Sequence, residues 1–432
     1  MKTILIFGAG KSATSLIEYL CNISSENDLR IIVCDTNLQL AQSKIGECDR
    51  AVAMSADVSN SEERRDLIGQ ADLVISMLPP SLHALVAEDC LHFRNHLLTA
   101  SYIDKRIKEL DKDILGSGLL FLCEMGLDPG IDHMSAMKMI HKIKKEGGNI
   151  VSFRSHCGGL IAPESDDNPW HYKFTWNPSN VVMAGISGAV FKSGGTATTL
   201  PYEAIFENNE RVDIPGLFPL AWYANRDSMS YIDTYQLQDA ATFIRTTLRH
   251  PSFCRGWHVF VKMGLTNADD YAQIENCTTY REWFQLKKNI AQFQFRSKQD
   301  ESEFDGQVSF LGLNNEDIIT TGIKNSASIL QSILEKKLAM KPHDKDMIVM
   351  LHEIQYRLHS EMKEIRSCLV AKGEDEIHTA MAKTVGLPLG IAAKLILQEK
   401  IRLKGLHIPT VPEIYEPVLR ELEKNGIKFH EY

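Results

Sequence analysis

The chain of 432 residues lacks the basic excess of a nucleic-acid-binding protein. It has 47 Lys and Arg against 56 Asp and Glu, which gives a formal net charge of -9. A polyanion requires a basic face, and the densest basic run, 142–145, is short and is interrupted by Ile143. The composition therefore argues against a nucleic-acid partner.

Paired cysteines and long apolar runs are also missing. Nine cysteines are scattered from Cys21 to Cys368 without CxxC spacing, so we predict free thiols in a reducing compartment, the cytoplasm. No window approaches the ~18 uninterrupted apolar residues of a membrane helix. The first predicted strand begins at Thr3, which leaves no room for a signal peptide. Without such a window, we predict no membrane association. His133 and His156 belong to no metal-ligand pattern, so we also predict no metal site.

The first 125 residues alternate short apolar runs with amphipathic segments. Apolar runs with little internal alternation are typical of strands that are covered on both faces, and strand–helix alternation implies right-handed crossovers. We therefore predict an α/β fold with a Rossmann-type doubly wound parallel sheet. The predicted strands are 3–7, 30–34, 51–54, 73–78, 96–100 and 119–123.

The character of the sequence changes near residue 125, where glycine, proline and tryptophan begin to accumulate. We predict a second, α+β domain with strands at 150–156 and 308–313 and helical periodicity over 344–369. Two helices close the chain, at 378–400 and 412–425. Pro412 near the first turn and Gly426 at the C-terminal cap support the second of them.

A glycine turn follows the first strand and precedes a helix. Its residues match the G-x-G-x-x-A pattern of dinucleotide-binding folds. The first glycine permits the tight turn, the second lets the backbone approach a pyrophosphate, and the alanine keeps the helix close to the sheet. Free helix N–H groups would bind the anion. We expect cofactor contacts from Gly8, Gly10, Lys11, Ser12 and Ala13.

Asp35 ends the second predicted strand. An acidic residue at this place hydrogen-bonds the ribose 2′-hydroxyl of NAD and would repel the 2′-phosphate of NADP. Lys44 or Arg50 could compensate for that repulsion, and Asp35 could instead be a solvated turn residue. The sequence therefore predicts NAD as the preferred cofactor, with NADP as the alternative.

Other residues follow the remaining predicted strands. The carboxyl edge of an open parallel sheet is where its ligands bind, so small polar groups there can meet a nicotinamide. Ser101 and Tyr102 follow the fifth strand, and a loop follows the sixth. We expect further cofactor contacts from Asp57, Val58, Leu78, Leu127, Asp128 and Pro129.

Unusual strings recur in series along most of the chain. They are Ser-Tyr at 101–102, EMGLDPGIDHM at 124–134, CGGL at 157–160, APE at 162–164, Asn-Pro at 168–169, YKFTW at 172–176, NRDS at 225–228, TLR at 247–249 and PEIYEP at 412–417. Together they resemble the saccharopine reductases, the glutamate-forming saccharopine dehydrogenases.

The resemblance implies a C–N oxidoreductase of lysine metabolism. Saccharopine, a nicotinamide cofactor and water would give glutamate and 2-aminoadipate 6-semialdehyde, reversibly and through an imine. It also implies a homodimer through the second domain, and C-terminal helices that return to the dinucleotide domain. The predicted domains are therefore 1–125 for the dinucleotide, 126–382 for the substrate and 383–432 for the returning helices.

Catalytic roles follow from the same resemblance, which places Asp128 beside the cofactor and the substrate amine. Hydride transfer from carbon requires an unprotonated secondary amine, so a nearby group must accept a proton or relay it through water. Asp128 and Cys157 are the candidates. Alternatively, Asp128 caps its own loop and Cys157 is a small buried hydrophobic residue.

The three carboxylates of saccharopine call for cations, and guanidinium groups bind carboxylates in a bidentate manner. Ile161 and Trp170 depart from the family pattern at the presumed substrate wall, where Trp170 and Trp176 could either pack or contact substrate. Two other functions are compatible with the sequence. One is a carboxynorspermidine-type imine reductase of polyamine synthesis, and the other is a non-catalytic dinucleotide-binding regulator. The resemblance implies substrate contacts from Ser101, Tyr102, Asp128, Arg226, Thr247, Leu248 and Arg249.

Overall fold

Two separate β-sheets organise the computed structural model of the chain, which describes residues 1–207, 210–322 and 325–432. One unit contains Met1–Glu146 and Ile377–Phe429, and the other contains Gly147–Glu376 and His430–Tyr432. The described strands are β1 Lys2–Phe7, β2 Leu29–Asp35, β3 Ala51–Ser55, β4 Leu73–Ser76, β5 His96–Thr99, β6 Leu120–Leu122, β7 Asn149–Ile161, β8 Ala189–Ser193, β9 Thr196–Leu200, β10 Glu210–Val212, β11 Leu220–Ala224, β12 Thr242–Arg249, β13 Asp346–Leu358, β14 Glu361–Lys372, β15 Gly405–His407 and β16 His430–Glu431.

Helices connect and cover these strands. Short 3-10 turns are present at Lys11–Ala13, Pro163–Ser165 and Met229–Tyr231. The described α-helices are α1 Thr14–Ser24, α2 Leu38–Ile45, α3 Ser61–Ile68, α4 Pro80–Phe93, α5 Lys105–Glu109, α6 Asp111–Gly116, α7 Ile131–Lys145, α8 Pro178–Val182, α9 Tyr202–Ile205, α10 Pro251–Lys262, α11 Tyr271–Ile274, α12 Tyr280–Ala291, α13 Lys298–Leu311, α14 Ser326–Lys337, α15 Ala380–Leu397 and α16 Pro412–Lys424.

The first unit is built on a sheet of seven parallel strands in the order β15-β6-β5-β4-β1-β2-β3. Five of the six residues of β1 are buried, because helices cover both faces of the sheet. This order is that of a doubly wound dinucleotide-binding fold, so the predicted fold class is confirmed. All six predicted strands are present; β15, which comes from the C-terminal region, was not predicted.

The apolar helix α15 packs inside the first unit. By length and composition it is the one described helix that could cross a membrane, but 78% of that segment is buried within the structure. It lies against α1, where a Cβ at Gly386 would come within 2.8 Å of the Leu16 nitrogen and one at Gly390 within 2.8 Å of the Tyr19 ring. Two glycines on one helix face therefore let α15 approach the helix that follows the glycine turn.

The unit boundaries fall at residues 146 and 376. The sequence placed them at 125 and 382. The difference arises because α7, which follows the predicted boundary, packs against α16 of the first unit. The ring nitrogen Nδ1 of His141 on α7 lies 2.8 Å from the Tyr415 hydroxyl on α16.

The second unit contains a mixed sheet of nine strands. Its path is β10-β11-β12-β7-β13-β14-β16, and β8 and β9 extend from β12. β7 pairs in parallel with β12 and antiparallel with β13. One face covers an aromatic core formed with α10–α14, and the other carries a smaller apolar cluster around Leu248 and Val349.

Two secondary-structure predictions in the second unit are wrong. Residues 308–313 form the end of α13 and its cap, because a short apolar run does not distinguish a strand from a buried helix. Residues 344–369 form most of the β13–β14 hairpin rather than a helix. β13 is buried on both faces from Asp346 to His352, so its apolar residues do not alternate as in a half-exposed strand.

Candidate functional site

The glycine turn of the first unit connects β1 to α1 through the 3-10 turn Lys11–Ala13. Gly8 has φ +98°, and a Cβ there would lie 2.8 Å from the carbonyl oxygen of Met77. Gly10 is extended, and a Cβ on it would meet no atom within 4 Å. Gly8 is therefore required by the turn itself, whereas Gly10 leaves its backbone open to a close ligand.

Asp35 braces this turn from the end of β2. Its Oδ2 accepts a hydrogen bond from the Ala9 backbone N–H at 2.8 Å, and its Oδ1 accepts one from the Asn37 N–H at 2.9 Å. The two cations that could have compensated for its charge are engaged elsewhere. Lys44 donates to the Thr14 hydroxyl, and Arg50 pairs with Asp28 at 3.1 Å.

The neighbouring strand ends hold the other predicted cofactor residues of this region. Asp57 follows β3 and accepts hydrogen bonds from the N–H and hydroxyl of Ser59, which lower the pKa of its carboxyl group. Val58 is buried, and its carbonyl accepts from the buried Arg64 at 2.7 Å. Leu78 is partly buried beyond β4. These residues lie beyond the carboxyl ends of β3 and β4, the edge that also carries the glycine turn.

Asp128 lies in a closed loop between β6 and α7, on a cis peptide bond to Pro129. The Gly126 N–H donates to the Pro129 carbonyl at 3.0 Å, and the Asp132 N–H donates to the Leu127 carbonyl at 3.1 Å. Leu127 and Pro129 are buried, and Asp128 is partly exposed. The loop therefore presents the Asp128 carboxylate while burying both neighbours.

Ser101 and Tyr102 follow β5 beside this loop. The Glu124 N–H donates to the Ser101 carbonyl at 3.0 Å, and the Met125 N–H donates to the Thr99 carbonyl at 3.0 Å. Both predicted residues are partly exposed. The structure thus brings Ser101 and Tyr102 next to the chain segment that leads into Asp128.

A residue that the sequence analysis missed, His83 on the first turn of α4, bridges two strand ends. Its Nδ1 lies 2.8 Å from the Ser76 hydroxyl at the end of β4, and its Nε2 lies 2.8 Å from the Ser101 hydroxyl. The Thr99 hydroxyl is 3.4 Å from the same Nε2. Burial lowers the pKa of His83 from 6.5 to about 4. No local sequence motif predicts this contact, because it depends on the pairing of β4 with β5.

His133 and His156 are held in buried hydrogen bonds. His133 Nε2 lies 2.8 Å from Glu124 Oε2 beneath the Asp128 loop. His156 lies 2.7 Å from the Thr246 hydroxyl through Nδ1 and 3.1 Å from Glu353 through Nε2. Neither forms a metal cluster: among the residues described, no three His, Cys, Asp or Glu side chains are placed to hold an ion.

In the second unit, Cys157 lies on β7 opposite Thr247 of β12 and is buried. The next residue is Gly158, where a Cβ would lie 2.5 Å from the Leu248 carbonyl oxygen. Glycine therefore permits the close approach of β7 to β12. This approach brings Arg249 Nη1 within 3.4 Å of the Gly159 carbonyl.

Arg249 is a buried cation with an incomplete set of partners. Its Nη1 donates to the Leu248 carbonyl at 2.8 Å, and its guanidinium carbon lies 5.2 Å from the centre of the Tyr172 ring and 5.7 Å from that of Phe253. Its Nε has no hydrogen-bond partner, and Arg249 forms no ion pair with a carboxylate of the described chain. A buried guanidinium is stabilised when a carboxylate completes its hydrogen bonds.

Arg226 does not lie beside Arg249. The β11–β12 register pairs Ala221 with Arg249 and Ala224 with Thr246. Arg226 is therefore five positions from the level of Arg249, roughly 17 Å along the strands. It is exposed, with φ +51°, in the loop after β11. The structure groups Cys157, Thr247 and Arg249 and leaves Arg226 at the other end of the strand pair. Leu248, between Thr247 and Arg249 in the strand, points to the opposite face and belongs to the smaller apolar cluster.

Trp170 is a core residue of the second unit. It is fully buried, its ring contacts Phe253, Trp257 and Phe260, and its Nε1 donates to the Gln307 carbonyl at 3.3 Å. Packing, not ligand contact, accounts for this departure from the family pattern. Trp176 is partly buried and donates to the Tyr172 hydroxyl at 3.2 Å.

Comparison with protein families matches nearly the whole chain. Residues 4–121 match the saccharopine dehydrogenase NADP binding domain, and residues 126–427 match the saccharopine dehydrogenase C-terminal domain. The resemblance inferred from the sequence strings is therefore confirmed.

Curated relatives share about a third of their aligned residues with the chain. The alpha-aminoadipic semialdehyde synthases of Arabidopsis thaliana and Bos taurus are 31% and 35% identical over 99% of the chain, and the match covers 44% and 47% of their own lengths. The chain thus spans about half the length of these relatives. The Schizosaccharomyces pombe saccharopine dehydrogenase [NADP(+), L-glutamate-forming] is 30% identical over 100% of the chain and 99% of its own length.

Solved structures agree with this assignment. Apo saccharopine dehydrogenase (L-Glu forming) from Saccharomyces cerevisiae aligns with TM-score 0.91 and 29% identity over 100% of this chain and 99% of that chain. A homospermidine synthase from Legionella pneumophila aligns with TM-score 0.56 at 11% identity, over 100% of this chain and 91% of that chain, which shows a shared fold only.

The preference for NAD predicted from Asp35 is wrong. The family matched by residues 4–121 is described as an NADP binding domain, and the S. pombe relative carries NADP(+) in its name. The hydrogen bonds of Asp35 give the physical reason. Both carboxylate oxygens accept backbone N–H groups, so the side chain holds the glycine turn and part of its charge is compensated.

Proposed function

Because the chain belongs to the saccharopine dehydrogenase family, we propose that it is an NADP(+)-dependent oxidoreductase that acts on the C–N bond of saccharopine. The products would be L-glutamate and 2-aminoadipate 6-semialdehyde, in a reversible reaction of lysine metabolism. The observation that carries the substrate assignment is the buried Arg249, which no carboxylate of the described chain neutralises. Saccharopine would supply that carboxylate.

The glycine turn fits a dinucleotide. Gly10 leaves its backbone open, and the helix α1 that follows would direct N–H groups to a pyrophosphate. Gly8, Gly10, Lys11, Ser12 and Ala13 would hold this part of the cofactor. When bound, NADP(+) supplies the hydride acceptor.

Asp128 is the proposed proton acceptor. The secondary amine must lose its proton before a hydride leaves the adjacent carbon, and a partly exposed carboxylate on a rigid loop can take that proton directly or through water. Cys157 stays a candidate for a later proton transfer during hydrolysis of the imine. Ser101 and Tyr102, on the loop bonded to the Glu124–Met125 backbone, would orient the substrate.

Arg249 would fix one carboxylate of the substrate in a dry environment. Its two aromatic neighbours exclude water, which strengthens a charge-assisted hydrogen bond. Arg226, at the other end of the β11–β12 pair, would bind a different carboxylate of the substrate. A polycationic substrate without a carboxylate would leave Arg249 uncompensated.

The experiment is a spectrophotometric assay of the whole chain with saccharopine and NADP(+), following formation of NADPH. We expect turnover, and we expect Arg249→Met to raise the KM for saccharopine by about 30-fold or more, because it removes a buried charge pair. Arg402→Met is the matched control, since Arg402 is 79% exposed.

Turnover with a diamine in place of glutamate, in the reverse direction, would favour the polyamine-type reductase. A chain that binds NADPH but turns over neither substrate would be the non-catalytic regulator.

A cytoplasmic location and a homodimer remain predictions. The nine cysteines are free thiols, and seven of them are buried, which is compatible with a reducing compartment. Sedimentation of the whole chain would test the dimer.

A further inference from the structure

The hydroxyl of Ser76 has a single partner among the residues described, the Nδ1 atom of His83 at 2.8 Å. Ser76 is 1% exposed, so its proton cannot be donated to bulk water. If His83 carried its proton on Nδ1, that N–H would donate to Ser76, and the Ser76 O–H would be left without an acceptor. A buried donor without an acceptor is unfavourable.

The other tautomer satisfies the donors of both Ser76 and His83. With the proton on Nε2, Ser76 O–H donates to Nδ1, and Nε2–H donates to the Ser101 hydroxyl at 2.8 Å. The Ser101 oxygen then acts as acceptor toward His83, and its own O–H is available to a ligand. The buried ring stays neutral at physiological pH, so it keeps one donating and one accepting nitrogen.

We propose that His83 is a positioning residue that fixes the Ser101 hydroxyl as a hydrogen-bond donor to a carboxylate of the substrate. The proposal rests on the proposed function, since it assigns the polarity of a residue of that site. His83 itself does not touch the substrate. It is held from the far side by Ser76, so the orientation of the pair is set by the β4–α4–β5 arrangement rather than by the loop alone.

The hydrogen bond from His83 also affects how strongly the Ser101 hydroxyl binds a ligand. A hydroxyl that accepts a hydrogen bond becomes a better donor, so Ser101 would bind an anionic oxygen more strongly than an isolated serine. Thr99 reinforces the arrangement, because its hydroxyl accepts the Ser101 backbone N–H at 3.2 Å and limits the rotation of the segment. A carboxylate accepts such a bond, whereas an ammonium group cannot.

The test is a double-mutant cycle on the whole enzyme. His83→Asn keeps a polar group near Ser76 but does not reach Ser101, whereas His83→Gln places an amide near the former Nε2. We expect His83→Asn to raise the KM for saccharopine about tenfold with kcat within about twofold, and His83→Gln to restore the KM to within about threefold. In a Ser101→Ala background, His83→Asn should have no further effect on the KM.

Three outcomes of these kinetic measurements overturn the proposal. The first is an equal effect of His83→Asn in both backgrounds, which indicates a structural role. The second is an unchanged KM for saccharopine in Ser101→Ala, and the third is an effect confined to the KM for NADP(+). NADPH affinity and thermal midpoints of all variants establish that they fold.

A second measurement does not depend on turnover. Long-range proton–nitrogen NMR of the chain labelled with ¹⁵N-histidine reports which ring nitrogen carries the proton, and the His83 signal is assigned by its loss in His83→Asn. A proton on Nε2 supports the proposal, and a proton on Nδ1 overturns it. If saccharopine is not turned over but Nε2 is protonated, the proposed function fails while the assigned polarity of Ser101 stands.

Discussion

The Oδ2 atom of Asp35 accepts a hydrogen bond from the backbone N–H of Ala9, with 2.8 Å between the two heavy atoms. This contact joins the end of β2 to the centre of the glycine turn. An acidic residue at the end of the second strand is usually interpreted as the ribose ligand of an NAD enzyme. Here the carboxylate stabilises the turn itself, and this difference changes the expected effect of its removal.

Replacement of Asp35 by alanine should weaken the binding of both NADP(+) and NAD(+) rather than change the preference between them. The Ala9 N–H, buried in the turn, would lose its acceptor, which costs about 1–3 kcal/mol of stability. We expect Asp35→Ala to raise the KM values for NADP(+) and NAD(+) by similar factors, measured by steady-state kinetics. Asp66→Ala, at an exposed position of α3, is the control. A tenfold or larger change in the ratio of the two KM values would instead identify Asp35 as a ribose ligand.

Gly130 should tolerate no side chain. Its φ is +148°, and a Cβ would lie 2.0 Å from the Gly126 carbonyl oxygen, so Gly130→Ala must open the loop that carries Asp128. We expect a loss of about 2 kcal/mol or more in the free energy of unfolding, together with a strong loss of turnover. Gly116→Ala is a matched control, because Gly116 ends α6 and a Cβ there meets nothing within 4 Å. Urea denaturation and the NADPH assay measure both effects; normal activity of Gly130→Ala would show that the loop geometry is not required.

His83 should make the stability of the chain depend on pH. In the unfolded chain its pKa is close to 6.5, and burial lowers it to about 4 in the folded chain. As the pH falls from 6.5 to 4, the unfolded chain takes up a proton at His83 that the folded chain does not, so stability is lost over this range. The loss from this residue is on the order of 3 kcal/mol.

The pH dependence can be assigned by comparing variants. His83→Gln should flatten the decrease in the free energy of unfolding between pH 6.5 and pH 4, measured by urea denaturation at several pH values. His430→Gln, at an exposed position, should leave the decrease unchanged. An identical pH profile for wild type and His83→Gln would show that the folded chain protonates His83 as readily as the unfolded chain does.

Trp170 should matter for stability and not for substrate choice. It is fully buried against Phe253, Trp257 and Phe260, so Trp170→Ala would leave a large cavity and destabilise the second unit by about 3–5 kcal/mol. The folded fraction should retain a KM for saccharopine within about threefold of wild type. Tyr271→Ala, at a 58% exposed position, should change neither quantity. A large change in KM without loss of thermal stability would place Trp170 in the substrate site.

Much of the first unit could be predicted from the sequence, because its determinants are local. Strands covered on both faces have continuous apolar runs, and five of the six predicted runs are such strands, β1, β2, β4, β5 and β6. The edge strand β3 has no buried residue, but its sequence is apolar enough to be recognised as well. The turn at Gly8 requires a positive φ, so its glycine is recognisable without a structure. The sequence strings that resemble the saccharopine dehydrogenase family are local as well, because each is a short contiguous segment.

The hairpin β13–β14 and the strand β15 show where local patterns fail. β13 is paired on both sides, with β7 and β14, over nearly its whole length, and buried apolar residues on both faces imitate a helical pattern. β15 has three residues and exists only because it pairs with β6, more than 280 positions earlier in the chain. Neither result follows from propensity or periodicity.

The dinucleotide fold, the glycine turn and the family can be inferred from the amino-acid sequence alone, because apolar strand runs, a glycine with positive φ and contiguous motifs are properties of neighbouring residues. The contacts of Asp35, the bridge of His83 between Ser76 and Ser101, and the separation of Arg226 from Arg249 along a strand pair required the three-dimensional structure. Those relationships depend on strand order and register, which are set by contacts between residues far apart in the chain.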